Sequence, residues 1–98
     1  MSNNKTFAVI IEYLEEVIDK RNNSSSSSYT SNLLKKDIDN ISQKVGEEAI
    51  EVVIAACIKN KNETVHESAD LLFHLMVLWK KLGIKLDDIA KELESRKK

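Results

Sequence analysis

The amino-acid sequence predicts an all-α protein, a four- to five-helix antiparallel bundle completed by homodimerisation. Three observations lead there. Proline is absent and glycine occurs twice in 98 residues, so nothing punctuates the chain into short strands. Hydrophobic residues make up 42% against 32% charged, the balance of a folded soluble domain and not of a disordered chain. Apolar residues recur at three- and four-residue spacing, the period of a helix with one buried face. A chain of 98 residues has room for one small core, so positions 1–98 are read as a single domain.

The first helix is predicted from about Thr6 to Arg21, where Phe7, Ile10, Ile11, Leu14, Val17 and Ile18 form one apolar stripe. "NNSSSSSYTS" follows, and its asparagines and serines favour turns, so 22–31 reads as a flexible serine-rich loop. The stretch "NLLKKDIDNISQKVGEEAIEVVIAACIK" is either one long helix or a short and a long one parted near Asp37. "NKNE" interrupts the pattern near residue 60, and a further helix covers about Glu63 to Leu82, with Gly83 as its left-handed cap. The last helix, "LDDIAKELESRK", opens on Asp87 and Asp88, which suit the positive end of its dipole.

Composition also excludes function classes. A net charge of −1 and a pI near 6.1 leave no electrostatic footprint for nucleic acid. The single cysteine, Cys57, stands among apolar neighbours and reads as a buried free thiol in a reducing compartment. "MSNNKTF" lacks the apolar core of a signal peptide, and the longest apolar run, "LLFHLMVLW", is roughly half the length needed to cross a bilayer. The expectation is a cytoplasmic protein with no membrane association. That same run is apolar nearly all round, more than the helices of one small chain would cover. It therefore predicts a homodimer, or a dimer of dimers, with Leu75, Leu78 and Trp79 at the interface.

The chemistry concentrates in carboxylates. At about 100° per residue, Lys44, Glu47, Glu48 and Glu51 of "KVGEEAIE" fall within a sector of roughly 100°. Glu67 and Asp70 repeat the device at i, i+3 on the following helix, and His74 continues their stripe. Each acidic set abuts an apolar run. Two helices joined by a short connection pack antiparallel, and Glu51 and Glu67/Asp70 each stand about two turns from the bend, which lets them face one another. Carboxylates gathered at such an interface repel unless a cation neutralises them, and an all-oxygen set favours Mg²⁺, or Mn²⁺ in its place, over Zn²⁺. Mg²⁺ keeps positions for substrate phosphates, so the pattern predicts a metal site for a phosphorylated ligand. The competing reading is a solvated acidic face with Lys44 as an i, i+4 partner. Glu63 and His66 have the Glu-x-x-His spacing of di-iron bundles, but the second such pair is missing and the match reads as chance. His74 is read as a core histidine or as one that orients a ligand. Gly46 in mid-helix costs stability, which suggests a packed helix or a ligand phosphate close to its backbone.

These motifs resemble phosphoribosyl-ATP pyrophosphohydrolases of histidine biosynthesis, a branch of the all-α nucleoside triphosphate pyrophosphatases that includes the MazG-like enzymes. The wider group is marked by "EExxE" followed by "ExxD", here Glu47-Glu48-Ala49-Ile50-Glu51 and Glu67-Ser68-Ala69-Asp70. The narrower family is suggested by "SYTSNLL" at 28–34, "KVGEEAIEVVIAA" at 44–56, "ESADLLFHLMVL" at 67–78 and "GIKLDDIAKEL" at 83–93. Asp37 departs from the family, where glycine is frequent. Lys85 stands where a capping residue is usual, at a cost of about 1 kcal/mol. The resemblance implies Mg²⁺-dependent hydrolysis of 1-(5-phosphoribosyl)-ATP to 1-(5-phosphoribosyl)-AMP and pyrophosphate. By carry-over it implies Glu48, Glu51, Glu67 and Asp70 as metal ligands. Glu47 is then expected to orient or deprotonate water, Lys44 to assist catalysis by touching a phosphate, and Tyr29 and His74 to join the substrate pocket. The alternatives are a house-cleaning triphosphate pyrophosphatase of the MazG type and a non-catalytic helical dimer.

Overall fold

The computed structural model describes residues 4–23 and 27–97. They form five helices, α1 (Asn4–Asn22), α2 (Tyr29–Leu34), α3 (Ile38–Cys57), α4 (Lys61–Lys81) and α5 (Leu86–Ser95), with no strand among the described residues. The fold is all-α, as the composition predicts. The break near Asp37 is real, and the two-helix alternative holds. Asp37 adopts an extended backbone and its carboxylate accepts the Asn40 N–H at 2.9 Å, an N-cap that starts α3 afresh. Ser28 does the same for α2, accepting the Ser31 N–H at 3.1 Å. The loop expected over 22–31 is therefore shorter: Asn22 closes α1 and Tyr29 already opens α2, while Ser24–Ser26 lie outside the described residues.

α3 and α4 pack along one another as an antiparallel hairpin, with Ile58–Asn60 as the connection. α3 ends in a Schellman motif, in which Asn60 N–H reaches the Ala55 carbonyl and Lys59 N–H the Ala56 carbonyl. The motif puts Lys59 at φ 60°, a left-handed conformation that glycine adopts more easily. Asn60 then caps α4, its side-chain oxygen accepting the Glu63 N–H at 3.0 Å. α4 closes on the same motif through Gly83 at φ 73°, with Ile84 N–H on the Trp79 carbonyl, so Gly83 is the cap that the sequence predicts.

Lys85 has no side-chain acceptor and cannot cap α5. Two carboxylates replace it: Asp88 accepts the Lys85 N–H at 2.9 Å, and Glu15 of α1 accepts the Leu86 N–H at 3.1 Å. The capping deficit expected at Lys85 is thus offset by other side chains. A Lys80–Asp19 ion pair ties α1 to the end of α4, and the Lys80 ammonium holds the Asp19 carboxyl below its ordinary range, first by hydrogen bonding and then by charge.

The core lies at one end of the hairpin. Ile18, Leu33, Leu34, Ile41, Met76 and Val77 are buried together, drawn from α1, α2, the start of α3 and the second half of α4. Leu78 and Trp79, two of the three residues expected at an interface, pack partly buried onto this cluster, and Leu75 is half-buried. Exposed apolar surface lies elsewhere. Ile50, Val53, Ile54 and Ile58 are each more than half exposed and form one stripe along α3, with Cys57 exposed beside them. The buried setting expected for Cys57 is therefore not found within the chain. Gly46 likewise has open space, because a Cβ built there meets nothing within 4 Å.

Replacing Lys59 by glycine relieves the left-handed strain without removing a side-chain bond. Lys59→Gly is expected to raise the free energy of unfolding by about 1 kcal/mol in urea titration.

Candidate metal centre and adjoining cleft

Near the middle of the hairpin, α3 presents Glu48 to α4, where Glu67 and Asp70 share a face one turn apart. Oxygens of these three carboxylates lie within 4.8 Å of one another. Glu48 is only 8% exposed, held there because its helix is clamped at Ile41 below and Ala55 above. Glu67 and Asp70 are half-buried. Partial burial, a hydrogen bond with Glu48 and the charges of Glu48 and Glu51 all raise the Glu67 carboxyl above its ordinary range. Three carboxylates at this separation, facing one compensating ammonium, fit a divalent cation, and their all-oxygen chemistry suits a hard one.

Of the four carboxylates expected here three converge, although the turn count set Glu51 opposite Glu67 and Asp70. Glu48, and not Glu51, meets Glu67 and Asp70. Glu51 is exposed one turn further along α3, close enough for its charge to bear on Glu67 but outside the converging group. Lys44 lies 3.3 Å from Glu48 and 4.0 Å from Glu47, and Glu48 holds its ammonium above the usual lysine range. Glu47 turns toward solvent and accepts from Gln43 Nε2 at 3.2 Å. His66 reaches Asp70 at 3.7 Å, and neither His66 nor Glu63 is part of the converging group among the described residues.

His74 is buried, with both ring nitrogens engaged. Nδ1 lies 2.7 Å from the Asp70 carbonyl, which can only accept, so Nδ1 carries a hydrogen, and Nε2 shares a hydrogen bond with the Tyr29 hydroxyl at 2.9 Å. This bond fastens α2 to the turn of α4 that carries Asp70. Tyr29 also stands edge-on to His74 and near Phe73, while much of its own ring stays exposed.

A cleft of about 330 Å³ opens between α2 and α3 beside the carboxylates, lined by Tyr29, Asn32, Lys36, Asn40, Gln43 and Lys44, with Leu33 and Glu47. Lys44 and Glu47 therefore stand at the boundary between an acidic group and a cleft of amides and ammoniums. Sequence reasoning passed over Asn32, Lys36, Asn40 and Gln43. Asn40, Gln43, Lys44 and Glu47 recur at helical spacing, a signal that would have placed the first two on one face with the site.

A family model for phosphoribosyl-ATP pyrophosphohydrolase matches residues 11–97. The chain belongs to this family. A phosphoribosyl-ATP pyrophosphatase of Pyrobaculum aerophilum is 48% identical over 90 residues, covering 91% of this chain and 96% of its own. One from Leuconostoc mesenteroides is 48% identical over 88 residues, covering 89% of this chain and 75% of its own. The histidine biosynthesis bifunctional protein HisIE of Vibrio cholerae is 42% identical over 91 residues, which are 92% of this chain and 43% of that protein. The match to phosphoribosyl-ATP pyrophosphohydrolase takes in the three converging carboxylates, Lys44 and the whole lining of the cleft.

Because Glu67 titrates above its ordinary value in the folded chain, it favours folding when protonated, and that contribution is lost as pH rises through the folded value. Glu67→Gln is therefore expected to raise the melting temperature at neutral pH in chelator. It should remove the loss of stability that Glu67 contributes as pH rises through its folded value, and abolish the upward shift expected of the unaltered chain in millimolar Mg²⁺.

Proposed function

We propose that this chain hydrolyses 1-(5-phosphoribosyl)-ATP to 1-(5-phosphoribosyl)-AMP and pyrophosphate, the second step of histidine biosynthesis, with Mg²⁺ or Mn²⁺ as its cofactor. The observation that carries the reading is the convergence of Glu48, Glu67 and Asp70 between two packed helices in a chain of this family. Glu48, Glu67 and Asp70 would hold the cation, with Glu51, one turn along α3, as a fourth carboxylate for it. A cation bound there neutralises charge on the triphosphate and on the departing pyrophosphate.

The chain's own residues supply the rest. Glu47 is exposed at the mouth of the cleft and free to accept a proton from the attacking water, whose oxygen adds to phosphorus as the bond between the α- and β-phosphoryl groups breaks. Gln43 and Lys44 hold the Glu47 carboxylate from two sides, at 3.2 and 4.0 Å. Lys44 also braces Glu48 and offers its remaining hydrogens to a phosphate oxygen. Tyr29 walls the substrate cleft. His74 is buried and acts by holding the Tyr29 hydroxyl.

In the same reading the protein works as a homodimer, with a dimer of dimers as the larger assembly. The radius of gyration is 14.6 Å, above the ~13 Å of a self-contained domain of this length. The exposed stripe of Ile50, Val53, Ile54 and Ile58 is the surface that a second copy would cover. No helix among the described residues is long and apolar enough to cross a membrane, and the proposed place of action is the cytoplasm.

Pyrophosphate release from phosphoribosyl-ATP and from a panel of ordinary nucleoside triphosphates is the deciding assay, run with and without Mg²⁺. Cation-dependent release from phosphoribosyl-ATP is expected, with Glu47→Gln lowering kcat by ~10²–10⁴-fold at a similar KM. Release from ordinary triphosphates alone would instead indicate a house-cleaning pyrophosphatase, and release from none a non-catalytic dimer. In sedimentation, the unaltered chain should run as a dimer or larger and Ile54→Asp should shift it toward the monomer. A monomer mass independent of concentration would overturn the assembly.

A further inference from the structure

Phosphoribosyl-ATP carries phosphate at two separate places, a triphosphate on one ribose and a single phosphate on the other. The acidic group between α3 and α4 answers only to the first, through a cation. A lone phosphate needs direct positive charge and hydrogen-bond donors, which the carboxylates do not offer.

The cleft next to them does. Its two ammoniums differ in what they already hold. Lys44 is shared between Glu48 and Glu47, whereas the Lys36 side chain has no ion-pair partner among the described residues. The start of α3 is not open to an anion, because the Asp37 carboxylate already occupies it. Positive charge for a phosphate in this cleft therefore falls to Lys36.

The amides around it suit a sugar. Asn32 donates one N–H to the Ser27 carbonyl at 3.3 Å, Asn40 one to Asp37 at 2.9 Å and Gln43 one to Glu47 at 3.2 Å. Each keeps a second amide hydrogen and spare carbonyl capacity for hydroxyl groups. The volume, about 330 Å³, lies at the small end of the usual range for small-molecule sites.

We infer that the cleft between α2 and α3 receives the 5-phosphoribosyl group, with Lys36 as its phosphate-binding cation. Lys36 is then the residue that separates phosphoribosyl-ATP from an ordinary nucleoside triphosphate. This assignment rests on the substrate proposed above.

Lys36 is exposed and can be replaced without opening the core. Lys36→Met should raise KM for phosphoribosyl-ATP ~10-fold or more and leave kcat within about threefold, on the strength of one lost charge-assisted bond. Lys35→Met, an adjacent exposed lysine outside the cleft lining, carries the same charge change and should alter neither. Titration with ribose 5-phosphate, followed by calorimetry, probes the subsite without turnover. The unaltered chain should bind it and not ribose, and Lys36→Met should lose that binding. Equal KM values for Lys36→Met and the unaltered chain, or ribose 5-phosphate binding that is absent or indifferent to Lys36, would overturn the assignment. If the unaltered chain releases no pyrophosphate from phosphoribosyl-ATP, the substrate reading fails, and the ribose 5-phosphate titration still decides the subsite.

Discussion

Three carboxylates held together between α3 and α4 set the terms for the rest of the chain. Glu48, Glu67 and Asp70 repel one another, and Glu48 is almost wholly withdrawn from water, so something else must hold the helices in register. That hold is applied at both ends of the hairpin. At the connection, consecutive caps at Lys59 and Asn60 fix how α3 leaves and α4 begins. At the far end Ile41, Met76 and Val77 are buried among residues of α1 and α2. The repulsion is thus offset by apolar packing and capping placed away from it, which leaves the carboxylates poised for a cation instead of relaxing apart.

The same arrangement explains why α3 is uneven along its length. Its first half supports the core through Ile41, its middle turns carry Lys44, Glu47 and Glu48, and its last turns expose Ile50, Val53, Ile54 and Ile58. One helix cannot bury its apolar end against α1 when α1 itself packs toward the opposite end of α4. The N-terminal half of α1 leaves an open groove, about 830 Å³, between Phe7 and Ile10 on one side and Ala56 and Val65 on the other. The apolar surface therefore collects around the connection end of the hairpin, next to the converging carboxylates.

Much of this was legible from residue types and spacing. Helix periodicity, the Asp37 break and Gly83 are local signals, and local backbone chemistry decided them. The acidic pairs were legible because carboxylates beside apolar runs on two successive helices must be neutralised where those helices meet. That Glu48 lies nearer than Glu51 to Glu67 and Asp70 was not legible in the turn count, because it depends on how two helices slide along each other, and counting turns from a bend carries an error of about one turn. Trp79 and Leu78 show a related limit of spacing: an apolar helix looks the same whether its own chain or another covers it, and here both pack partly on the chain's own core. Lys85 misled because one of its replacement caps, Glu15, comes from α1 at the other end of the sequence. The cleft was missed because Lys36 and Asn32 belong to it only through the placement of α2 against α3.

Charge segregation across the site bears on selectivity. In the proposed reading, Lys44 and Glu47 divide an acidic group that would take phosphate through a cation from a cleft that would take it directly. A ligand reaching only the first is held at one end, whereas one spanning both is held at two, and the second contact adds without further loss of translational freedom. Discrimination between two triphosphates is a difference in binding free energy, so it is set by the part that only one of them carries. In the proposed reading the chemistry and the selectivity are lodged on opposite sides of one helix turn. On that reading the carboxylates could be common to many triphosphate substrates while the neighbouring cleft decided which is accepted.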